Sequence, residues 1–147
     1  MTAPNQAFLA QSQDLPAASL TFGALASVVT ASAQVIPPGG GAAASSTTGA
    51  TGVNVTRSIT LTRLRVRFVG DAANVGGQTL SFQVLKNGVA HASAVIAGLA
   101  TTAGTKTSSV DFAATPLNVV DGDLVQVTVT PSALLTAVVT SMDVSVG

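Results

Sequence analysis

The 147-residue sequence predicts an all-β fold: an antiparallel β-sandwich of about eight short strands behind an extended N-terminal arm. Three observations carry this. From Val53 onward the apolar residues recur with a period of two, the spacing of a half-buried strand. Asn87-Gly88 falls between two such runs, and Asn-Gly is the strongest short hairpin signal because both central turn positions need positive φ. Turn residues separate the remaining runs at short intervals, and the body holds no helical stripe, which is the pattern of a sandwich or barrel.

The elements follow in chain order. Residues 1–20 are small and polar, with Pro4 and Pro16 breaking any helix, and form the arm. Residues 21–147 form one domain. In it, Leu20–Ile36 is apolar without a clean helical stripe; its Phe22, Val28, Val29, Val35 and Ile36 suit one or two strands, and its alanines leave a helix as the alternative. Residues 37–52, rich in Pro, Gly, Ala and Ser, form a long loop. Ile59-Thr60-Leu61 alternates, and then Leu64, Val66 and Phe68 alternate in the opposite phase, so a break or bulge falls at Thr62/Arg63. Leu80, Phe82 and Val84 lead into the Asn87-Gly88 turn. Counting outward from a two-residue loop pairs Lys86 with Val89, Leu85 with Ala90, Val84 with His91, Phe82 with Ser93 and Leu80 with Val95. Val110 and Phe112 lie at strand spacing. Asp121-Gly122 is a turn, and Val125, Val127 and Val129 line one face of a strand that Pro131 stops. Val138, Met142, Val144 and Val146 share the phase of a last strand.

Composition sets the limits on function. Charged residues make up 8% of the chain, six cations against six anions, and every anion is Asp; about 25% is usual. A neutral, charge-poor surface favours association, and the mean hydropathy of +0.56 points the same way. Zero Cys excludes disulfides, thiolate metal sites and Cys nucleophiles. A single His excludes a His-ligand cluster within one chain. A pI near 6.5 without Trp or Tyr gives neither a basic footprint nor stacking platforms for nucleic acid. No apolar run is long enough for a membrane-spanning helix. The first residues lack the basic and apolar regions of a secretory signal, so synthesis and retention in the cytosol, or incorporation there into something larger, is expected.

Four of the six cations, Arg57, Arg63, Arg65 and Arg67, fall within eleven residues, and the last three share a face. Guanidinium forks bind carboxylates in a bidentate way, so this stripe is a candidate contact for an acidic partner or a sister subunit; a solvated outer strand face is the plain alternative. Phe8, Leu9 and Leu15 are the apolar docking candidates of the arm. Between Asp14 and Arg57 there is no charge, which suits either a segment lying against protein or a neutral linker. Asp121 and Asp123 read as turn chemistry, since Asp bonds nearby backbone N–H groups; calcium needs more oxygens than this turn supplies. His91 has no partner at a spacing that would make it a general base. No catalytic residue, cofactor site or metal site is assigned, and the chain is expected not to be an enzyme.

Three passages carry a resemblance: TLSFQVLKNGV at 79–89, the Thr/Ala/Gly-rich region at 97–109, and VVDGDLVQVTV at 119–129. Together they resemble the small jelly-roll domains of viral and fibre proteins, above all the cement (decoration) proteins of tailed bacteriophage heads, and also trimeric fibre-tip knobs. The first 52 residues hold none of the repeats that would build a fibre shaft, which favours the cement reading. The resemblance implies a jelly-roll-like sandwich on the virion surface. Its partners would be the major capsid protein and further copies of itself, as dimer or trimer, with no nucleic acid and no membrane. The role would be mechanical, bridging neighbouring shell subunits. A receptor-binding fibre tip is the second reading. A carbohydrate-binding module is the third, disfavoured by the missing Trp and Tyr.

Overall fold

The structure, a computed structural model, describes residues 19–22, 33–38, 52–74, 76–133 and 137–145. The strands are β1 (Ser19–Phe22), β2 (Gln34–Ile36), β3 (Val53–Asn54), β4 (Ile59–Leu61), β5 (Arg63–Gly70), β6 (Thr79–Lys86), β7 (Val89–Ala100), β8 (Gly104–Asp111), β9 (Leu117–Val119), β10 (Leu124–Pro131) and β11 (Ala137–Ser145). All pairings are antiparallel. One sheet runs β1-β11-β5-β8 and the other β2-β10-β6-β7, with β3 also on β10 and a separate β4-β9 ribbon. Leaving aside the short β3, β4 and β9, the chain passes to the opposite sheet at every step except β6 to β7. That double-wound order is the jelly roll, and it matches the expected sandwich of about eight strands.

The period-two rows become the core. Leu64, Val66 and Phe68 of β5 meet Leu80, Phe82 and Val84 of β6 and Val125, Val127 and Val129 of β10, all fully buried. The Phe68 and Phe82 rings lie 6.0 Å apart and tilted by 38°, in the range where aromatic pairs attract. Strand β10 is buried on both faces, Gln126 and Thr128 included, and is paired along both edges, with β6 on one side and the short β2 and β3 on the other.

The phase flip has its cause in topology. Thr62 interrupts the strand: β4 before it pairs with β9, and β5 after it joins the β1-β11-β5-β8 sheet. At the other end of β5, Gly70 closes on a neighbouring loop, where a Cβ would sit 2.3 Å from the Thr101 and Thr102 carbonyl oxygens. Of the apolar segment 20–36, β1 and β2 are strands as expected, and β1 already begins at Ser19. The arm through residue 18, with Phe8, Leu9 and Leu15, lies outside the described residues, as do 23–32 and 39–51 of the long loop.

The hairpin count needs correcting. Asn87 and Gly88 have φ of 51° and 80°, and Lys86↔Val89 and Leu85↔Ala90 pair as expected. Beyond them the register slips, so that Gln83 pairs with Val95, Phe82 with Ile96 and Leu80 with Leu99. Residues 91–94 of β7 thus stand opposite Val84 alone, and a second slip occurs at Gly98, whose φ is 69°. Counting outward from a turn assumes one residue per partner, and bulges break that assumption. His91 is therefore not the simple partner of Val84. Strand β11 carries a similar irregularity at Thr140.

Candidate docking face

The alternation of β5 that buries Leu64, Val66 and Phe68 turns Arg63, Arg65 and Arg67 to the outside, with Arg65 and Arg67 exposed and Arg63 half-buried. The three share one outer sheet face, spaced about 6.6 Å apart along the strand. Register adds what the linear spacing did not contain. Arg63 stands in the row Ser19–Ser145–Arg63–Asp111, Arg65 in Thr21–Asp143–Arg65–Ser109, and Arg67 in Ser141–Arg67–Thr107. In register the face is thus graded: an aspartate stands beside Arg63 and beside Arg65, and none stands directly beside Arg67.

Asp111 is engaged within the fold. Its Oδ2 lies 3.3 Å from Arg63 Nη2, and its Oδ1 accepts the Ala113 N–H at 2.8 Å. The Ala113 N–H first, and Arg63 second, hold its carboxyl below the ordinary carboxylate value. Sequence reading missed this pair because its members lie 48 residues apart and meet only through β5–β8 register.

Arg57 does not belong to the stripe. It is exposed in the loop between β3 and β4, on a pocket of about 330 Å³ lined also by Ser19, Leu20, Val53, Asn54 and Ile59. That pocket is continuous with the Arg63 row through Ser19.

At another part of the molecule, two of the three passages that carried the family resemblance, 79–89 and 119–129, meet. Asn87 Nδ2 donates to Asp123 Oδ1 at 2.7 Å, and Asn87 Oδ1 accepts the Leu124 N–H at 2.8 Å. The Asn87 N–H donates to the Leu124 carbonyl at 2.8 Å. Lys86 Nζ lies 3.0 Å from Asp123 Oδ2 and donates to the Asn118 carbonyl at 2.9 Å. Asp123 Oδ2 also accepts the Val120 N–H at 2.8 Å, as the turn reading expected, and Gly122 takes φ of 89°. These donors, the Val120 N–H foremost and then Asn87 and Lys86, pull the Asp123 carboxyl down to about 2. The cluster is a clamp that locks the hairpin tip to the β9–β10 turn.

His91 is half-buried. Its ring meets Phe112 edge-on, centroids 5.5 Å apart, and Nε2 lies 2.6 Å from the Thr115 carbonyl oxygen. A carbonyl only accepts, so the ring donates from Nε2. The imidazole is spent on holding the 112–115 turn. Among the described residues no group of His and Asp side chains is arranged to hold a metal ion, and no helix is long and apolar enough to cross a membrane.

No protein-family model matches the chain, and no curated protein matches its sequence. Solved structures do align with it. One is a Podospora anserina GH26-CBM35 β-(1,4)-mannanase, at 12% identity and a TM-score of 0.41 over 90% of this chain and 28% of that one. Another is the C-terminal CBM6 of LamC, a marine laminarinase from Zobellia galactanivorans, at 15% identity and a TM-score of 0.37 over 88% of this chain and all of that one. A third is an exo-β-1,3-galactanase from Phanerochaete chrysosporium, with galactose, at 12% identity and a TM-score of 0.39 over 88% and 30%. The chain spans less than a third of the length of the first and third. At such identities and scores these likenesses carry no functional argument, and the reading rests on the chain's own geometry.

Proposed function

We propose that this chain is a non-catalytic docking domain that lays the outer face of its β1-β11-β5-β8 sheet on a protein surface bearing carboxylates. Following the family resemblance, that surface is the outside of an assembled virus shell, where the domain bridges neighbouring major capsid subunits. The observation that carries the reading is the Arg face. Half of the chain's six cations line one strand and share its outer face, with Arg65 and Arg67 exposed. Exposed Arg presents a planar fork to a partner's carboxylate. Many weak contacts of this kind, repeated over a lattice, add through multivalency, and binding the assembled shell alone stabilises it by mass action.

The same geometry weighs against sugar recognition by stacking. Phe22, Phe68, Phe82 and Phe112, the aromatic rings among the described residues besides His91, are all buried, so none offers a flat exposed platform. Quantitative mass spectrometry of purified particles tests the proposal. Copies by the hundred, in simple ratio to the major shell protein, are expected. A few copies per particle would move the chain to a fibre tip. Absence from particles, together with retention on immobilised glycans, would overturn the docking reading in favour of a carbohydrate-binding module.

A further inference from the structure

Open sheets have edges, and an edge strand presents unpaired backbone N–H and C=O groups to any other strand; native proteins guard them with short strands, bulges, Pro or charge. In the two main sheets, every edge strand described here but one is guarded. β1 and β2 have four and three residues, and β3, beside β2, has two. β7 is long, but its register with β6 slips twice. The remaining edge is β8. It has eight residues, GTKTSSVD, in unbroken register with β5 from Gly70↔Gly104 to Arg63↔Asp111. Among the described residues it pairs with no second strand. It contains no Pro and no bulge. Its outward residues Thr105, Thr107 and Ser109 are exposed and uncharged, and outward Asp111, at its end, is held by Arg63. Its one cation, Lys106, reaches back along its own chain to the Ala103 carbonyl at 3.4 Å.

We infer that β8 pairs antiparallel with β8 of a second copy of this chain, joining two four-stranded sheets into one of eight strands across a two-fold axis. Charge favours a copy as the partner. The strand holds one cation and one anion, Lys106 and Asp111, and the chain has no net charge, so the edge does not repel itself.

The pleat restricts the register. Facing residues share a side of the sheet, and a one-residue slip would turn core-side positions outward. Thr105, Thr107, Ser109 and Asp111 must therefore face outward positions of the copy, and Lys106, Ser108 and Val110 inward ones. A residue then faces itself at the two-fold axis. Lys106 is excluded there, because two ammonium groups would oppose each other. Centring on Thr107 pairs Gly104–Val110 and sets Lys106 opposite Ser108; centring on Ser108 pairs Thr105–Asp111 and sets Lys106 opposite Val110. The pairing stands on the edge geometry alone. One consequence rests on the docking proposal: two Arg rows would lie about 14 Å apart, three strand spacings, on one continuous face.

The chain has no Cys, so single cysteines report cleanly. Thr107→Cys and Ser108→Cys are oxidised separately, with exposed Thr130→Cys on β10 as control, beside sedimentation velocity of the unaltered chain. The expected result is a sedimenting mass twice that of the monomer. One of the two β8 cysteines should cross-link in full, and the control should not. Thr107→Pro and Ser108→Pro then separate folding from pairing. Successive N–H groups along a strand point to opposite sides, so one proline removes a bond to β5 and the other a donor on the open edge. The second is expected to leave a folded monomer. Monomeric behaviour of the unaltered chain up to about 1 mM, where even ~4 kcal/mol of association would register, overturns the inference. So does a dimer that cross-links at Thr130 and at neither β8 position. Both readouts use the chain alone, so they succeed or fail independently of particle copy number.

Discussion

The clamp at Asn87–Asp123 and the Arg face of β5 are built from the same kinds of residue, cations, aspartates and small polar groups, and they end in opposite states. In the clamp, Lys86, Asn87 and Asp123 spend their hydrogen bonds on one another and on the backbone of Asn118, Val120 and Leu124. On the face, Arg63 is ion-paired with Asp111, and Arg65 and Arg67 stand exposed. The difference lies in secondary structure. Two turns brought tip to tip point their side chains and free backbone groups at each other, whereas an outer sheet face points its side chains away from the core and toward solvent. Polar residues of the first kind hold the fold together; those of the second kind present themselves at the surface.

Breaking the clamp should have the largest effect on stability. Asn87→Ala removes both side-chain bonds and forces a Cβ-bearing, unbonded residue into positive φ. It is expected to cost about 2–3 kcal/mol of unfolding free energy in urea titration, from ~1–2 for the backbone and ~1 for the lost bonds. Asn87→Gly keeps the turn and loses only the side chain, so its cost should be about 1 kcal/mol. Equal costs for the two variants would mean that the side-chain bonds, not the turn geometry, carry the site.

The face should respond in the opposite way. Arg67→Glu is expected to leave the unfolding midpoint unchanged and to weaken docking on particles by about 2 kcal/mol, a loss of roughly thirtyfold, the worth of one charge-assisted hydrogen bond. Arg65→Glu, equally exposed, should weaken it by a similar amount, and Arg63→Gln least of all, because Arg63 is half-buried and ion-paired with Asp111. A ranking with Arg63 first would show that exposure on this face plays no part in docking.

Acid provides the finest distinction. The Asp123 carboxyl sits at about 2 in the fold, against an ordinary 3.8. A lowered carboxylate binds fewer protons in the native state than in the unfolded one. Its contribution is therefore complete above about pH 4 and drains away as the pH falls toward 2. Unfolding midpoints of the unaltered chain should fall through that window. Asp123→Asn should start lower at pH 7 and show a shallower decline, while Arg67→Glu should follow the unaltered slope.

Much of the fold was legible before any coordinates. The three buried rows of β5, β6 and β10, the break at Thr62, the type of the Asn87-Gly88 turn and the Asp123 turn bond all follow from local rules: side-chain alternation, positive φ and short-range hydrogen bonding. The Arg stripe was legible too, since three residues at spacing two share a face in any strand. The failures are equally specific. The β6–β7 register was lost after two pairs, because bulges leave no mark in a pattern of Ala, Ser and Val. The Arg63–Asp111 pair and the clamp stayed hidden because their members lie far apart in the chain.

The amino-acid sequence alone determined the class of the fold, which residues face the core and which cations share a side, because each of these depends on neighbours within a few residues. Tertiary structure alone decided the order of the strands, the aspartates at register positions beside Arg63 and Arg65, the engagement of His91 with Thr115 and the edge at β8. Those depend on which distant segments the sandwich brings into register, and register is settled by the packing of the whole core.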